Sequence, residues 1–264
     1  MKQPLIHPTA IIDPKAELGS GVSVGPYSVI GPDVTIGDDT VIGNLVTVQG
    51  KTSIGKKNRI GAYTSIGMPA QDKEHWADDC LVKIGDENDI REYVSIHRGT
   101  YKHGEPGVTQ IGSHNQIMVY CHFAHDTEIG DYCMLANNST LGGHVRFGSY
   151  IVTGGLSAYH QFTRVGSYAM VGGMTACFQD VPPYCMCTGP RGMIYGINRV
   201  GISRNGFNAE QVGQIQDVYN RYFSSKKVPS MALKDIINQP GAPAVWERFI
   251  GFVQSSVRGI APKG

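Results

Sequence analysis

The chain has 264 residues, of which 41% are hydrophobic and 17% charged, and its formal net charge is +1. This composition supports a folded core and excludes general disorder, and the near-zero charge gives no global attraction to nucleic acid or an anionic membrane. No apolar run is long enough to span a bilayer, so no integral membrane segment is predicted.

The N-terminal segment and the cysteines both indicate a cytoplasmic protein. The segment MKQPLIHPTAIIDPK has one lysine near its start but no long apolar run, so no secretory signal is predicted. The six cysteines show neither a CxxC pair nor the spacing of a disulfide framework. We therefore expect reduced thiols and a cytoplasmic location.

A six-residue repeat of mostly aliphatic side chains organises residues 1–190. Its members form three runs: Ile6, Ile12, Leu18, Val24, Ile30, Ile36, Ile42, Val48, Ile54, Ile60 and Ile66; then Ile84, Ile90 and Ile96; then Ile111, Ile117, Phe123, Ile129, Leu135, Leu141, Phe147, Thr153, Tyr159, Val165, Val171 and Cys177. Neither a helical period nor strand alternation gives a fixed period of six over this length. A hexapeptide β-helix does, because each hexad forms a short strand and a corner, and three hexads close one triangular coil.

Two stretches break the repeat and are predicted insertions, at residues 68–83 and 101–110. Loops that project from a rigid solenoid are natural places for substrate contacts, and ordinary surface loops are the alternative. Residues 191–264 are predicted to form a small helical domain. Its three predicted helices are NAEQVGQIQDVYNRYFSS with Asn208 as N-cap, MALKDIINQ, and APAVWERFIGFVQSSVRG with Gly259 as stop.

Residues 18 apart in such a solenoid lie one above the other, and two neighbouring columns are rich in polar groups. One column holds His125, Gly143 and Gln161, and the next holds Asp126, His144 and Phe162. His122 and His160 lie beside these columns. The grouping has three interpretations: a catalytic centre, a metal site, or a chance cluster of surface histidines on a scaffold.

As a catalytic centre, His125 would act as a general base, since the ordinary pKa of an imidazole lies near neutrality. Asp126 would fix its tautomer, and the backbone N–H of Gly143 would receive a developing oxyanion. As a metal site, the histidines would bind zinc, usually three with one open position. The histidine pair here is three residues apart, whereas trimeric hexapeptide enzymes resembling γ-class carbonic anhydrases use a pair five apart and a third histidine far upstream, a role for which the spacing of His97 does not fit.

Five sequence strings, in this order, closely resemble the UDP-N-acetylglucosamine 3-O-acyltransferase family. They are SIHRGT (95–100), HFAHDTEIGD (122–131), LANNSTLGGHV (135–145), HQFTRVG (160–166) and QDVPPY (179–184). The resemblance covers essentially the whole chain. It implies a homotrimer of left-handed parallel β-helices, each with a C-terminal α-helical domain and with active sites between subunits. It further implies transfer of an (R)-3-hydroxyacyl chain from acyl carrier protein to the 3-hydroxyl of UDP-N-acetylglucosamine in lipid A biosynthesis, with no metal or other cofactor.

The resemblance also assigns residues. His125 matches the general base, Asp126 its orienting partner and Gly143 the oxyanion donor. The residues that match contacts to the sugar, the diphosphate, the nucleotide or the acyl chain are Gln71, Asp72, His122, His144, His160, Gln161, Asn198 and Arg204. Gly173 matches the position that sets acyl length, and an absent side chain there implies a chain of about 14 carbons rather than ten.

This sequence departs from the family pattern at a few positions. Glu74 stands where a lysine is expected in the first insertion, and Val200 and Asn205 stand where an acidic and a basic residue are expected. The nucleotide contacts are therefore expected to be rearranged, and a 3-amino sugar analogue remains an alternative acceptor. An acidic acyl carrier protein implies a basic rim, for which the candidates are Arg164, Arg221, Lys226 and Lys227.

Overall fold

The computed structural model describes residues 5–73, 79–102, 105–224 and 227–264. In chain order the strands are Leu5–Ile6 (β1), Ile11–Ile12 (β2), Glu17–Leu18 (β3), Ser23–Val24 (β4), Val29–Ile30 (β5), Val34–Ile36 (β6), Val41–Ile42 (β7), Thr47–Val48 (β8), Lys51–Ile54 (β9), Arg59–Ile60 (β10), Ser65–Met68 (β11), Leu81–Ile84 (β12), Asp89–Ile90 (β13), Ser95–His97 (β14), Tyr101–Lys102 (β15), Glu105–Pro106 (β16), Val108–Ile111 (β17), Gln116–Ile117 (β18), His122–Phe123 (β19), Glu128–Ile129 (β20), Met134–Leu135 (β21), Thr140–Leu141 (β22), Arg146–Phe147 (β23), Val152–Thr153 (β24), Ala158–Tyr159 (β25), Arg164–Val165 (β26), Met170–Val171 (β27), Ala176–Cys177 (β28), Cys185–Thr188 (β29) and Met193–Ile197 (β30). The helices are Arg199–Arg204 (α1), Ala209–Phe223 (α2), Pro229–Ile237 (α3) and Val245–Gln254 (α4).

The strands build three long sheets, which are the faces of a triangular prism. Face 1 has the order β1-β4-β7-β10-β13-β18-β21-β24-β27-β29-β30, face 2 the order β2-β5-β8-β11-β14-β19-β22-β25-β28, and face 3 the order β3-β6-β9-β12-β17-β20-β23-β26. Apart from β15 and β16, which form a separate hairpin, consecutive strands up to β28 fall on successive faces, and neighbours within a face are parallel up to β29. The last pair, β29 and β30, is antiparallel.

The inward side chains of the repeat form the core of the prism. Ile6, Ile12 and Leu18 are partly exposed because the first coil has no coil beneath it, whereas every later member of the predicted repeat is buried. Strand registers stack these members directly, as with Ile117 on Leu135. The period of six therefore places one apolar side chain from each strand in a continuous core, where burial of apolar surface stabilises the fold.

The corners of the prism require a left-handed backbone. At most corners the residue three places after an inward side chain has a positive φ, for example 57° at Asp126 and 60° at His144. This conformation costs on the order of 1 kcal/mol for a residue with a side chain. Hydrogen bonds between successive coils offset the cost, as where the N–H of His144 donates to the carbonyl of His125 at 3.0 Å. Each corner thus holds its residues at fixed positions above one another.

The two insertions leave the prism at different places. The first follows β11 on face 2 and returns at Leu81, where β12 pairs with Lys51–Ile54 on face 3. The second contains the antiparallel hairpin of β15 and β16 and returns at β17. Both insertions are shorter than predicted at their ends, because β11, β12 and β17 are each four residues long and pair with the neighbouring coils.

Beyond β29 the chain closes the end of the prism with α1 to α4. Strand β30 ends at Ile197, so the change from strands to helices follows that residue, seven residues later than the predicted boundary at 190. Asn208 caps α2, and its capping box with Gln211 confirms the predicted N-cap. The other two predicted helices are present as α3 and α4, while α1 was not predicted.

The details of α4 differ from the prediction. The helix ends at Gln254, so the prediction that Gly259 stops it was wrong. Its buried residues are Trp246, Phe249 and Val253. None of the helices in the described part of the chain has the length and apolar character that a membrane crossing would need.

Arg164 joins the helical region to the prism. Its guanidinium donates to the Asp180 carboxylate at 3.1 Å, to the Phe252 carbonyl at 2.7 Å and to the Ser255 hydroxyl at 3.1 Å. Asp180 is 1% exposed and also accepts a hydrogen bond from Ser256 at 2.8 Å. The chain after α4 is therefore held by this arginine–aspartate pair, which accounts for the early end of the helix.

Candidate active site

The candidate site lies on the corner that joins face 2 to face 3, called corner 2–3 below. His125 follows the buried Phe123 of β19 by two places, and the carbonyl of His125 accepts the N–H of His144 in the coil above. The N–H of Phe162 likewise donates to the carbonyl of Gly143. The structure thus places the predicted columns one above the other on this corner.

His125 and Asp126 form a hydrogen-bonded pair. The Nδ1 of His125 lies 2.9 Å from the Oδ2 of Asp126, and both side chains are about nine-tenths buried. His144 approaches the same carboxylate oxygen with its Nε2 at 3.5 Å, and its ring stacks on Phe162 at 4.6 Å. A proton on Nδ1, held by the carboxylate, leaves the Nε2 lone pair of His125 available as a base.

The pKa of Asp126 is lowered although the group is partly buried. Burial by itself would raise this pKa, but hydrogen bonds from His125 and Thr100 and the positive potential of His144 outweigh it. Asp126 is therefore an anion at neutral pH, as an orienting partner of an imidazole must be.

Gly143 lies directly against the ring of His125. A Cβ placed on Gly143 would be 2.5 Å from both Nε2 and Cε1 of His125, so a side chain at this position would collide with the imidazole. Among the described residues, none accepts a hydrogen bond from the Gly143 N–H. Because glycine permits this close approach, the backbone N–H of Gly143 is a donor beside Nε2 of His125, the nitrogen that would serve as the base.

The first insertion reaches the same imidazole from another side. The Oδ2 of Asp72 lies 3.9 Å from the Nε2 of His125, and Gln71 is exposed beside it. Lys73 is exposed as well, whereas Glu74 lies outside the described residues. A substrate hydroxyl that binds Asp72 would therefore stand next to the basic nitrogen of His125.

His122 lies on face 2 as the first residue of β19, just before corner 2–3. Its Nδ1 is 2.7 Å from the hydroxyl of Ser95, and its ring packs edge-on against His97, with the ring centres 5.2 Å apart. His97 is tied to the first insertion through the carbonyl of Pro69, 2.6 Å from its Nδ1. Burial, together with the neighbouring charge on His97, lowers the pKa of His122, which is therefore neutral at neutral pH.

We expect His122 to make the folded protein less stable in weak acid. The folded-state pKa of His122 is depressed, so the unfolded chain takes up the proton more readily than the folded protein does. The contribution of neutral His122 to the free energy of unfolding is therefore complete above about pH 6.5 and is lost as the pH falls through the folded pKa. The thermal midpoint should fall less steeply between about pH 7.5 and 5.5 in His122→Gln than in wild type. A matched His7→Gln variant should keep the wild-type slope, and equal slopes in all three proteins would contradict this assignment.

Small residues cover face 2 above His122. The outward positions stack as His122 on Thr140, Thr140 on Ala158 and Ala158 on Ala176. Across this face, on the corner that joins face 1 to face 2, Gly173 lies against the backbone of Gly155, with a Cβ position 3.3 Å from its carbonyl oxygen. These small side chains leave a path along face 2 towards Gly173, although Leu156 and Met174 on the same corner are 60% and 74% exposed.

His160 and Gln161 lie on corner 2–3 in the coil above Gly143 and are both exposed. The Nδ1 of His160 is 3.2 Å from the carbonyl of Gln161. A cavity of about 400 Å³ adjoins this corner on the face 3 side, between the prism and the chain that follows α4. It is lined by His144, Arg146, Phe162, Arg164, Asp180, Ser255, Val257 and Arg258.

Comparison with known proteins decides the family. The family model described as UDP N-acetylglucosamine O-acyltransferase, domain 2, matches residues 180–261, and the model of bacterial transferase hexapeptide repeats matches residues 109–143. An acyl-[acyl-carrier-protein]–UDP-N-acetylglucosamine O-acyltransferase from Janthinobacterium sp. (strain Marseille) is 43% identical over 260 residues, which are 97% of this chain and 98% of the relative. The chain belongs to this acyltransferase family.

Solved structures show the same relationship. A UDP-N-acetylglucosamine acyltransferase from Francisella novicida is 36% identical, with a TM-score of 0.94 and coverage of 98% of this chain and 94% of that one. A UDP-N-acetylglucosamine acyltransferase from Campylobacter jejuni is 34% identical, with a TM-score of 0.91 and coverage of 98% of this chain and 100% of that one. The predicted family and fold class, a left-handed parallel β-helix of hexapeptide repeats with a small C-terminal α-helical region, are confirmed. The chain is an O-acyltransferase of this family.

The two residues predicted to contact the nucleotide, Asn198 and Arg204, do not lie on corner 2–3. Asn198 is 6% exposed: its Oδ1 caps α1 by accepting from Gly201, and its Nδ2 donates to the carbonyl of Tyr168 at 3.0 Å. Tyr168 belongs to the corner that joins face 3 to face 1, whereas His125 belongs to corner 2–3. Arg204, at the end of α1, is exposed. The contacts predicted for these two residues stay predictions.

The metal interpretation rests on three groups, His125, Asp126 and His144, whose possible ligand atoms lie within 4.8 Å of one another. Asp126, however, accepts hydrogen bonds from His125 and from Thr100, which suits an orienting carboxylate. The zinc alternative finds no support among the acyltransferase relatives, and the expected absence of a metal stays a prediction.

Three residues of the string SIHRGT (95–100) hold the site together in roles that were not predicted from the sequence, although His97 was considered as a zinc ligand. Ser95 binds His122, His97 binds the first insertion, and Thr100 binds Asp126. Their offsets are not 18, because an insertion lies between the paired coils: the second insertion between Ser95 and His122, 27 residues apart, and between Thr100 and Asp126, and the first between Pro69 and His97. The repeat itself carried the signal, since aligning the inward Ile96 with the inward Phe123 places these residues beside the site.

Proposed function

We propose that this protein transfers an (R)-3-hydroxyacyl chain from acyl carrier protein to the 3-hydroxyl of UDP-N-acetylglucosamine, the first step of lipid A biosynthesis. The observation that carries the proposal is the arrangement of His125 between Asp126 and Gly143 in a chain of this family. The relatives' names describe transfer between an acyl carrier protein and this nucleotide sugar.

The geometry supports a direct transfer. The Nε2 of His125 takes the proton of the sugar 3-hydroxyl as its oxygen attacks the thioester carbonyl, and Asp126 stabilises the imidazolium that forms. The N–H of Gly143 donates to the oxyanion of the tetrahedral intermediate. When the intermediate collapses, the thiolate of the donor leaves and takes the proton from His125. No metal or other cofactor is needed in this scheme, and we expect a chelator to leave the rate unchanged.

The surroundings of the dyad fit the nucleotide sugar. Asp72, 3.9 Å from the base nitrogen, suits a sugar hydroxyl, and the neighbouring cavity contains Arg146 and Arg258, which suit phosphate groups. The cationic candidates for a rim are already paired: Arg164 with Asp180, Arg221 with Asp217, and Lys227 with Asp235. Lys226 lies outside the described residues. Docking of the carrier protein is therefore expected to compete with these ion pairs.

We also propose a homotrimer with active sites between subunits. His125 lies on corner 2–3, whereas Asn198 binds the corner that joins face 3 to face 1, so we expect a ligand that contacts both residues to bind them from two chains. Light scattering of the purified protein should give three times the chain mass, and a monomer that retains full activity would contradict the proposal. A cytoplasmic location fits the six cysteines, which are all buried free thiols.

The test of the function is a panel of acceptors and donors. Purified protein should acylate UDP-N-acetylglucosamine from (R)-3-hydroxyacyl carrier proteins, with the best rate at a chain of about 14 carbons. The 3-amino analogue should be the poorer acceptor. Faster acylation of the amine would reassign the acceptor, and no transfer to either sugar from any donor would refute the function.

Gly173 provides the prediction on chain length. We expect Gly173→Met to change the donor preference towards ten carbons by about tenfold, because the new side chain fills the space beside Gly155 at the end of the path on face 2. The relative kcat/KM for the two donors measures this effect. Gly213→Met, at an exposed position of α2, is the matched control and should keep the wild-type preference. An unchanged preference in Gly173→Met would show that the acyl chain lies elsewhere.

A further inference from the structure

The carboxylate of Asp126 is held mainly by a residue of another coil, Thr100. The hydroxyl of Thr100 donates to Oδ2 of Asp126 at 2.6 Å, and the Thr100 N–H lies 3.2 Å from each carboxylate oxygen. Thr100 is 1% exposed, so water does not compete for these bonds. The same Oδ2 atom accepts the Nδ1–H of His125, which means that Thr100 and His125 bind one oxygen from different directions.

The backbone of Asp126 is held by a second threonine from the same region. The N–H of Asp126 donates to the hydroxyl of Thr109 at 2.9 Å, and Thr109 is fully buried. This bond fixes a residue whose φ of 57° is unfavourable for an ordinary side chain. Thr100 and Thr109 stand on the two sides of the second insertion, immediately before and just after its hairpin.

Gly107, near the end of the second insertion, lies very close to the carboxylate of Asp126. Its N–H donates to the carbonyl of Thr100 at 2.8 Å, and a Cβ at Gly107 would lie 2.2 Å from Oδ1 of Asp126. Only a residue without a side chain permits this approach. The two ends of the second insertion therefore pack directly against the Asp126 carboxylate. The sequence had led us to expect a loop that projects towards substrate.

This packing matters because a second histidine competes with His125 for the Asp126 carboxylate. The Nε2 of His144 lies 3.5 Å from the same Oδ2 atom. A carboxylate without the Thr100 bonds would be free to turn about its Cβ–Cγ bond towards His144. Its bond to the Nδ1–H of His125 would then weaken, and the neutral His125 ring would no longer be held with its proton on Nδ1.

We propose that Thr100 is a positioning residue for catalysis: it fixes the Asp126 carboxylate so that His125 keeps its proton on Nδ1 and presents Nε2 to the substrate. This inference rests on the proposed acyl transfer for its kinetic consequence. The structural consequence, the tautomer of His125, is independent of turnover.

The kinetic test uses a double-mutant cycle. Thr100→Val keeps the shape of the side chain but removes its donor, and we expect kcat to fall about 10- to 100-fold while KM stays within about twofold. Thr100→Ser keeps the donor and should restore most of the rate. In an Asp126→Ala background, Thr100→Val should cause no further loss, because its effect passes through Asp126.

A merely structural threonine would give a different pattern. It would lower activity by the same factor in both backgrounds, or raise KM and lower the thermal midpoint without a specific loss of kcat, and either result would overturn the proposal. So would a wild-type kcat in folded Thr100→Val. If the valine variant does not fold, Thr100→Ala replaces it, since the smaller side chain cannot be too large for the buried position.

The second readout is nitrogen NMR of protein labelled with ¹⁵N-histidine, in which His125→Ala assigns the signals of interest among the nine histidines. Wild type should show neutral His125 with its proton on Nδ1, and this population should decrease in Thr100→Val. An unchanged tautomer would refute the role of Thr100 even if activity fell. A wild-type protein that transfers no acyl group would refute the proposed function, while the tautomer measurement would still decide the role of Thr100.

Discussion

Replacing His125 with alanine is expected to lower kcat for acyl transfer by about a thousandfold, within the range that a positioned general base contributes. The imidazole is nine-tenths buried, bound to Asp126 through Nδ1 and placed with Nε2 towards the aspartate of the first insertion. His144 is the other imidazole beside Asp126, but its Nε2 is directed at that carboxylate, 3.5 Å away, so we do not expect it to replace His125 as the base.

The fold should survive this change, because His125 belongs to a corner and the inward residue of its hexad is Phe123. Circular dichroism, the thermal midpoint and the oligomeric mass should therefore match wild type. His7→Ala is a matched control, since His7 is an exposed histidine of the first coil and its loss should not affect transfer. Folded His125→Ala protein with more than about a tenth of the wild-type kcat would remove His125 from the mechanism.

The second large effect is expected for Gly143→Ala, with kcat lower by about a hundredfold to a thousandfold. The added methyl group would lie 2.5 Å from Nε2 of His125, so either the imidazole or the backbone of the corner must move. Both movements separate the base from the N–H that we assign to the oxyanion. A change of one carbon atom should thus approach the effect of removing the base itself.

Gly31→Ala is the control for this substitution. Gly31 lies on the same corner of the prism many coils earlier, and a Cβ there meets its nearest atoms at 3.4 Å, which is compatible with small adjustments. Steady-state kinetics on both variants, with the binding of UDP-N-acetylglucosamine measured separately by calorimetry, separate catalysis from affinity. Near-normal kcat in Gly143→Ala would show that the oxyanion is stabilised by another donor.

The part of the site that could be predicted is the part that the repeat controls. Three hexads make one coil, so an offset of 18 residues places Gly143 directly over His125, and the structure brings their atoms into contact. The inward position of Phe123 follows from the same count. Prediction succeeded here because one geometric rule, applied many times, leaves little freedom to each residue.

Prediction failed where that rule is interrupted. Thr100 precedes the second insertion, so its offset from Asp126 is 26 residues and no column of 18 contains both. Asp72 could be assigned to substrate by resemblance, but its approach to His125 depends on the path of the first insertion, which has no period. Contacts that close across insertions are tertiary and have no local signal in the sequence.

The helical region shows the same limit in another form. Helix α1 has six residues and begins with Arg199 and Val200, which is too short for an apolar period to appear. The side chain of Asn198 caps this helix and binds the prism, a structural role that the sequence did not reveal, while its predicted nucleotide contact stays a prediction. Arg164, a candidate for the carrier protein rim, is the residue that anchors the chain after α4. Polar residues with a structural partner and those with a ligand look alike in sequence.

The measurement that tests the account most directly is the identity of the product. Purified protein is incubated with UDP-N-acetylglucosamine and a 3-hydroxyacyl carrier protein, and the acylated sugar is analysed by mass spectrometry and by proton NMR of the ring. We expect one new ester at the 3-position, formed by wild type and absent with folded His125→Ala. Acylation at another position, or an equal yield from the two proteins, would contradict His125 as the base of a 3-O-acyl transfer.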